Sequence, residues 1–213
     1  MGCTNSEPST PPKDKSGSKY VAPPTGKLIS DNQILNLPDG HTHLVAFIRH
    51  GERCDNSSIK QEWDRIKTKH EPPLTNLGVS QAHVTGQFLK DKLAKEGFES
   101  IVIYSSPFLR TLETACAIAH ELSVTEIRVT YRAFEWQSKE IYPEGTPIRD
   151  ELLVSQLETD SEGMREFTAE SVGHPGIRIV HDKESLDEVA GQYPEDRGAL
   201  TTRLNKLYAD LRD

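Results

Sequence analysis

The chain has 213 residues, a formal net charge of −8, 35% hydrophobic residues and three cysteines. That length allows one domain plus a tail, and the acidic balance speaks against a nucleic-acid binder, which is usually basic. Cys3, Cys54 and Cys116 are odd in number and far apart, which fits reduced thiols in a cytosolic setting and not a disulfide framework. No apolar run reaches transmembrane length, and the first residues lack the apolar core of a signal peptide.

The chain opens Met1-Gly2-Cys3-Thr4-Asn5-Ser6. This fits the N-myristoylation pattern, with Gly2 exposed once Met1 is removed and Cys3 beside it available to a palmitoyl group. One myristoyl chain holds a membrane weakly and two hold it stably, so the expectation is dual acylation and attachment to the cytoplasmic face of a membrane. The plain alternative is an accidental Met-Gly start. From Ser6 to about Asn36 the sequence is polar and rich in Pro, Ser and Lys. Pro8, Pro11, Pro12, Pro23 and Pro24 forbid regular helix or sheet, so the segment reads as a tether. It has no Pro-x-x-Pro core flanked by Arg that would mark a Pro-rich peptide ligand. Residues 1–40 are therefore read as tail and 41–213 as the domain.

Leu44 to Ile48 is a short apolar run that reads as a buried strand, ended by Gly51. Arg49, His50 and Arg53 follow at once, where ligands bind in open α/β sheets. Two guanidiniums flanking an imidazole suit a phosphate: Arg grips its oxygens as a fork, and a neutral imidazole attacks phosphorus. A strand end with a salt-bridged His is the bland alternative. Cys54 to Pro72 is polar around Trp63 and reads as a loop with a short helix.

Thr75 is the expected N-cap of a helix from Asn76 to about Lys95, with Leu77, Ala82, Leu89 and Leu93 inward and Gly97 ending it. Ile101 to Tyr104 reads as a second strand. Ser106 and Pro107 read as N-cap and first residue of the next helix, whose core face is Leu109, Leu112, Cys116, Ala119 and Leu122. Cys116 is then a packing residue. Arg110 falls in the first turn, where a cation opposes the helix dipole unless an anion is also there. Such a conflict tends to mark function; a surface Arg paired with Glu113 is the alternative.

Ile127, Val129 and Tyr131 alternate like a strand, and Phe134-Glu135-Trp136 follows. A carboxylate between two aromatics suggests partial desolvation, which suits a general acid; spacing alone favours a surface Glu between packed rings. Ser138 to Asp196 is polar and reads as a long insertion with little regular structure, apart from a short edge strand at Ile177 to Val180. Ala199 to Arg212 reads as a final amphipathic helix with Leu200, Leu204, Leu207 and Leu211 on one side. His174 and His181 read as loop histidines, and His41, His43, His70, His83 and His120 have no motif behind them.

Four stretches taken together resemble the histidine phosphatase superfamily, also called phosphoglycerate mutase-like. They are Arg49-His-Gly-Glu-Arg53, Pro73-Leu-Thr-Asn-Leu-Gly78 with Gln81-Ala82, Tyr104-Ser-Ser-Pro-Phe-Leu-Arg110 with Thr114-Ala115, and Phe134-Glu-Trp136, in the family's order. The branch most similar is the phosphatase domain of ubiquitin-associated and SH3 domain-containing proteins. The resemblance covers residues 44 to 212. It implies an α/β fold, a three-layer α/β/α phosphoglycerate mutase-like sheet. The family's last strand, and the second histidine that follows it, have no counterpart, since His174 and His181 come too early. The expectation is a domain lacking its C-terminal part, through truncation, or else a degenerate member.

The resemblance implies a two-step phosphoryl transfer. His50 would be the nucleophile and Glu135 the proton donor, with Arg49, Arg53 and Arg110 binding the phosphate. It implies no metal and no cofactor, and the sequence has no His-x-x-x-His or Cys-x-x-Cys pattern. The expected partner is a phosphorylated small molecule or phosphoprotein. Two alternatives stay open: a catalytically impaired relative that binds phosphorylated ligands, and a phosphoglycerate-type mutase, against which the acidic 138–196 insertion argues mildly.

Overall fold

A computed structural model describes residues 35–36, 42–66, 70–145, 176–181 and 183–211. Gly2, Cys3, the tether up to residue 34, His41, His174 and most of the 138–196 insertion lie outside the described residues. The chain divides into two units, 1–44 and 45–213. In the first, β1 (Leu35–Asn36) pairs antiparallel with β2 (Thr42–His43).

The second unit holds a parallel sheet in the order β3 (Ile103–Ser105), β4 (Glu126–Val129), β5 (Arg178–His181). Its register sets Ile103, Ile127 and Ile179 in one row and Tyr104, Arg128 and Val180 in the next. Side chains alternate across a strand, so the isoleucine row faces the core while Arg128 is exposed. The core is completed by α3 (Leu109–Leu122) through Leu112, Cys116 and Ala119, by Tyr131, Phe134 and Tyr142, and by Val189 of α4 (Lys183–Ala190). The helices and this small parallel sheet make the fold α/β.

Several sequence expectations are corrected. Residues 44–50 carry no ladder hydrogen bonds, and Phe47 is 73% exposed. Apolar residues favour an extended backbone, but a strand needs a partner, and among the described residues this run has none. The insertion holds the short edge strand expected near Ile177 to Val180, seen as β5, and beyond that expectation it also contains α4. His181 closes β5 and is not in a loop.

After α1 (Lys60–Trp63), the short helix expected between Cys54 and Pro72, α2 (Asn76–Glu96) has the expected N-cap, the Thr75 side chain accepting from Gly78 N at 2.9 Å, and Gly97 ends it at φ 77°. Its inward face differs from the expected leucine row. Gly78, Ala82 and Gly86 are buried while Leu77 is exposed. A Cβ at Gly86 would stand 3.1 Å from the Ile118 backbone, so small residues let α2 lie close against α3.

α3 starts two residues later than expected, with Phe108 at the N-cap position and no cap from its own side chain. The Leu109 amide instead donates to Glu71 Oε1 at 3.1 Å. A buried carboxylate from a distant loop thus does the capping, which no local pattern announces. In the last helix, α5 (Arg197–Asp210), Leu204 is exposed, and the residues fully turned inward are Leu207 and Arg203.

Candidate active site

The candidate residues lie on three chain segments: the loop after residue 48, the first turn of α3, and the stretch after β4. The first is the loop 49–54. Arg53 and Leu74 form an isolated antiparallel bridge, Cys54 N donates to Pro73 O at 2.9 Å, and Thr75 N donates to Glu52 O at 2.9 Å. The Thr75 hydroxyl also donates to Glu52 Oε2 at 2.7 Å, and Glu52 N donates to Gln81 Oε1 at 2.9 Å. The loop is thus sewn to the start of α2. Gly51 and Gly78 make this possible: a Cβ on Gly51 would lie 2.8 Å from the Gly78 carbonyl carbon. Gly51 N donates to Thr114 Oγ1 at 3.2 Å, tying the loop to α3 one turn past Arg110.

His50 is half-buried, and its Nδ1 lies 2.8 Å from Gly51 O. A carbonyl only accepts, so Nδ1 carries the proton and Nε2 keeps its lone pair. Burial lowers the pKa of His50 below its ordinary 6.5, and the charges of Arg110, Arg49 and Arg53 push the same way against the Gly51 bond. The imidazole is therefore neutral at pH 7. Its electrostatic neighbours are the three arginines singled out from the sequence.

Arg110 is 5% exposed, not a surface residue paired with Glu113. Glu113 instead accepts from Leu74 N at 2.5 Å. The Arg110 guanidinium lies 4.0 Å over the Phe108 ring, donates from Nη1 to His70 O at 3.3 Å, and from Nη2 to Glu135 Oε2 at 3.2 Å. Burial lowers its pKa, with Glu135 opposing. Arg53 is held by both oxygens of Asp55, and Arg49 is exposed.

Glu135 follows β4, on an irregular stretch after the 3-10 turn Tyr131–Ala133. The expected desolvation between two aromatics is not found: its side chain is 44% exposed. Phe134 turns into the core against Phe108, ring centroids 4.6 Å apart, and Trp136 donates to Glu195 O at 2.9 Å. Backbone alternation carries the two rings away from the carboxylate. What holds Glu135 Oε2 is Arg110 and the Tyr142 hydroxyl, which donates at 3.2 Å. Sequence reasoning missed Tyr142, which sits in the segment read as an irregular insertion. Burial and Glu135 raise its pKa well above the ordinary phenol value, so it stays a donor.

His50, Arg49, Arg53, Arg110 and Glu135 are thus gathered at one place: Glu135 bears on Arg53 and Arg110, and all three arginines bear on His50. Among the described residues, no group of three or more His, Cys, Asp or Glu is placed to hold a metal ion. The arrangement offers one unprotonated nitrogen, a triad of positive charge and one carboxylate.

A family model described as histidine phosphatase superfamily (branch 1) matches residues 45–190, and the chain belongs to that superfamily. Ubiquitin-associated and SH3 domain-containing protein A of Mus musculus is 29% identical over 165 residues, 64% of this chain and 24% of that protein. The ecdysteroid-phosphate phosphatase of Drosophila melanogaster is 24% identical over 157 residues, 59% of this chain and 20% of that protein. The chain thus spans a quarter or less of the length of these relatives. Among solved structures, the ecdysone phosphate phosphatase of Bombix mori in complex with tungstate matches at TM-score 0.31 and 21% identity, over 75% of this chain and 64% of that one.

Proposed function

We propose that the chain is a phosphomonoesterase working through a phosphohistidine on His50. The observation that carries this reading is the convergence of Arg49, Arg53 and Arg110 on an imidazole that burial keeps neutral. Nε2 of His50 attacks phosphorus in line. Glu135, taking up the proton brought in by the ester monoanion, protonates the departing oxygen and then takes a proton back from the water that hydrolyses the intermediate. The guanidiniums hold the equatorial oxygens as charge redistributes. In the empty site Arg110 leans on Glu135; an incoming phosphate competes for Arg110 and leaves Glu135 to Tyr142.

A generic aryl phosphate tests this, with His50→Ala as control and quenching in alkaline detergent to trap the labelled protein. The expected result is turnover and an acid-labile phosphoprotein, both lost in the variant. Phosphate-ester binding without turnover or labelling would instead assign the site to a binding role. The substrate class is a phosphorylated small molecule or phosphoprotein. Among the described residues no helix is long and apolar enough to cross a membrane. We propose that Gly2 and Cys3 carry acyl chains that attach the protein to a membrane, supported by the Met-Gly-Cys opening with Ser6. Mass spectrometry of the N-terminal peptide from cells, with Gly2→Ala as control, decides it: an unmodified peptide refutes the proposal.

A further inference from the structure

Glu195 and Arg203 form an ion pair with both side chains at 0% exposure. Burying two charges is expensive, and apolar residues of similar volume often serve stability as well or better. A pair of this kind calls for a reason other than stability, and its hydrogen bonds supply one. Arg203 donates from Nε to Glu195 Oε1 and from Nη2 to Glu195 Oε2, each at 2.7 Å. Its Nη1 donates to Arg132 O and Phe134 O, each at 2.8 Å, and Nη2 reaches Glu135 O at 3.5 Å. A guanidinium has five N–H groups, and here five acceptors account for them. Three of those acceptors are backbone carbonyls of the stretch that carries Glu135.

Glu195 grips the same stretch from the other side. Its carbonyl accepts from Trp136 Nε1 at 2.9 Å, its Oε2 accepts from Gln137 N at 3.2 Å, and its amide donates to Gln137 O at 2.9 Å. Residues 134–137 belong to neither helix nor strand, so no ladder fixes their path. The ion pair takes the place of a ladder. It fixes the backbone on both sides of Glu135 while leaving the carboxylate itself free to meet Arg110 and Tyr142.

We propose that Arg203, braced by Glu195, is a positioning residue that sets the place of the Glu135 carboxylate in the site. This rests on the reading of Glu135 as proton donor. Arg203 touches no reacting atom and acts only through the segment it holds. A lysine keeps the charge but cannot reach three carbonyls and a carboxylate at once, so Arg203→Lys loosens the segment and leaves His50 and the other arginines as they are.

The test compares two esters on the full chain. 4-Nitrophenyl phosphate releases a stable anion that needs no proton; a simple alkyl phosphate needs one. Glu135→Gln is expected to cut kcat/KM for the alkyl ester by roughly 10²- to 10⁴-fold, and much less for the nitrophenyl ester. Arg203→Lys is expected to show the same split, with at least about a tenfold larger loss on the alkyl ester and an unchanged KM for the nitrophenyl ester. Purely structural damage would scale both esters alike. Should Arg203→Lys fail to fold, Trp136→Phe, which removes only one link to Glu195, carries the comparison. Equal losses on both esters, or none, in a folded Arg203→Lys or Trp136→Phe overturn the positioning role while leaving Glu135 its own. A Glu135→Gln chain without the split defeats the proton-donor reading, and the positioning role with it. A wild-type chain inert toward both esters overturns the phosphatase reading and this inference together.

Discussion

Gly78→Ala is the sharpest probe of how the loop that carries His50 is held. A Cβ at position 78 would stand 2.8 Å from Glu52 N and 3.1 Å from Glu52 C, closer still to Glu52 O. Carbon contacts settle at about 3.5 Å, so the loop or the first turn of α2 must move by at least about 0.7 Å. Both sides of the contact are backbone, and neither can swing away as a long side chain would. Overpacking of this kind costs about 1–3 kcal/mol. The same displacement carries His50 and Arg53 out of register with Arg110, since they ride on the loop that moves. A misplacement near 1 Å costs on the order of 10²-fold in rate, so a loss between about 10- and 100-fold is expected here. Urea unfolding followed by tryptophan fluorescence measures the first effect, and nitrophenyl phosphate turnover the second. Gly97→Ala is the control: nothing lies within 4 Å of its added Cβ, but φ is 77°. It should cost about 1–2 kcal/mol of stability and leave turnover intact. A Gly78→Ala protein as stable and as active as wild type would refute the close-approach reasoning.

The remaining predictions concern charge and reactivity. Because the folded pKa of His50 lies below 6.5, the unfolded chain binds the proton more readily as pH falls below that value. The contribution of His50 to stability is therefore present above pH 6.5 and lost as pH falls through the folded pKa. Turnover should likewise decline only below pH 6.5; a titration of the His50 ring by NMR with a midpoint above 6.5 would contradict this. Tyr142→Phe removes one of the two donors to Glu135 Oε2 and should lower kcat by about two- to tenfold while the melting curve stays close to wild type. A rise or no change in kcat counts against the Tyr142 role. Burial pushes the thiol of Cys54 up to about 11 and that of Cys116 up to about 12. Site-resolved mass spectrometry after iodoacetamide at pH 7 should find both unmodified in the native protein and alkylated in urea; rapid native labelling of either would show that the thiol is not shut in.

What could be read from the sequence was local, and what could not was held from a distance. The helix from Asn76 is legible because Thr75 and Gly97 bracket it with their own chemistry. Arg49, His50, Arg53, Arg110 and Glu135 are legible because each follows shortly after an apolar run, although only Arg110 and Glu135 follow strands of the parallel sheet. The start of α3 is misjudged because its capping carboxylate, Glu71, is 38 residues away from Leu109. The inner face of α2 is misjudged because helical periodicity points at leucines, whereas contact with α3 is made by Gly78, Ala82 and Gly86. Arg203 is invisible to hydrophobic patterning for a plain reason: a charged residue in a helix is scored as outward-facing, and only the acceptors waiting for it show otherwise. Strand pairing for Leu44 to Ile48 is a further case, since β propensity says nothing about whether a neighbour exists.

The bond from Arg203 to the Glu135 carbonyl spans 68 residues. On a ribosome adding about 5–20 residues per second, the chain between them takes roughly 3 to 14 seconds to appear. Throughout that interval His50, Arg53 and Arg110 have already been made, while the stretch carrying Glu135 has nothing to brace it. The path of residues 134–137 is thus fixed only once α5 has been made, long after His50, Arg53 and Arg110.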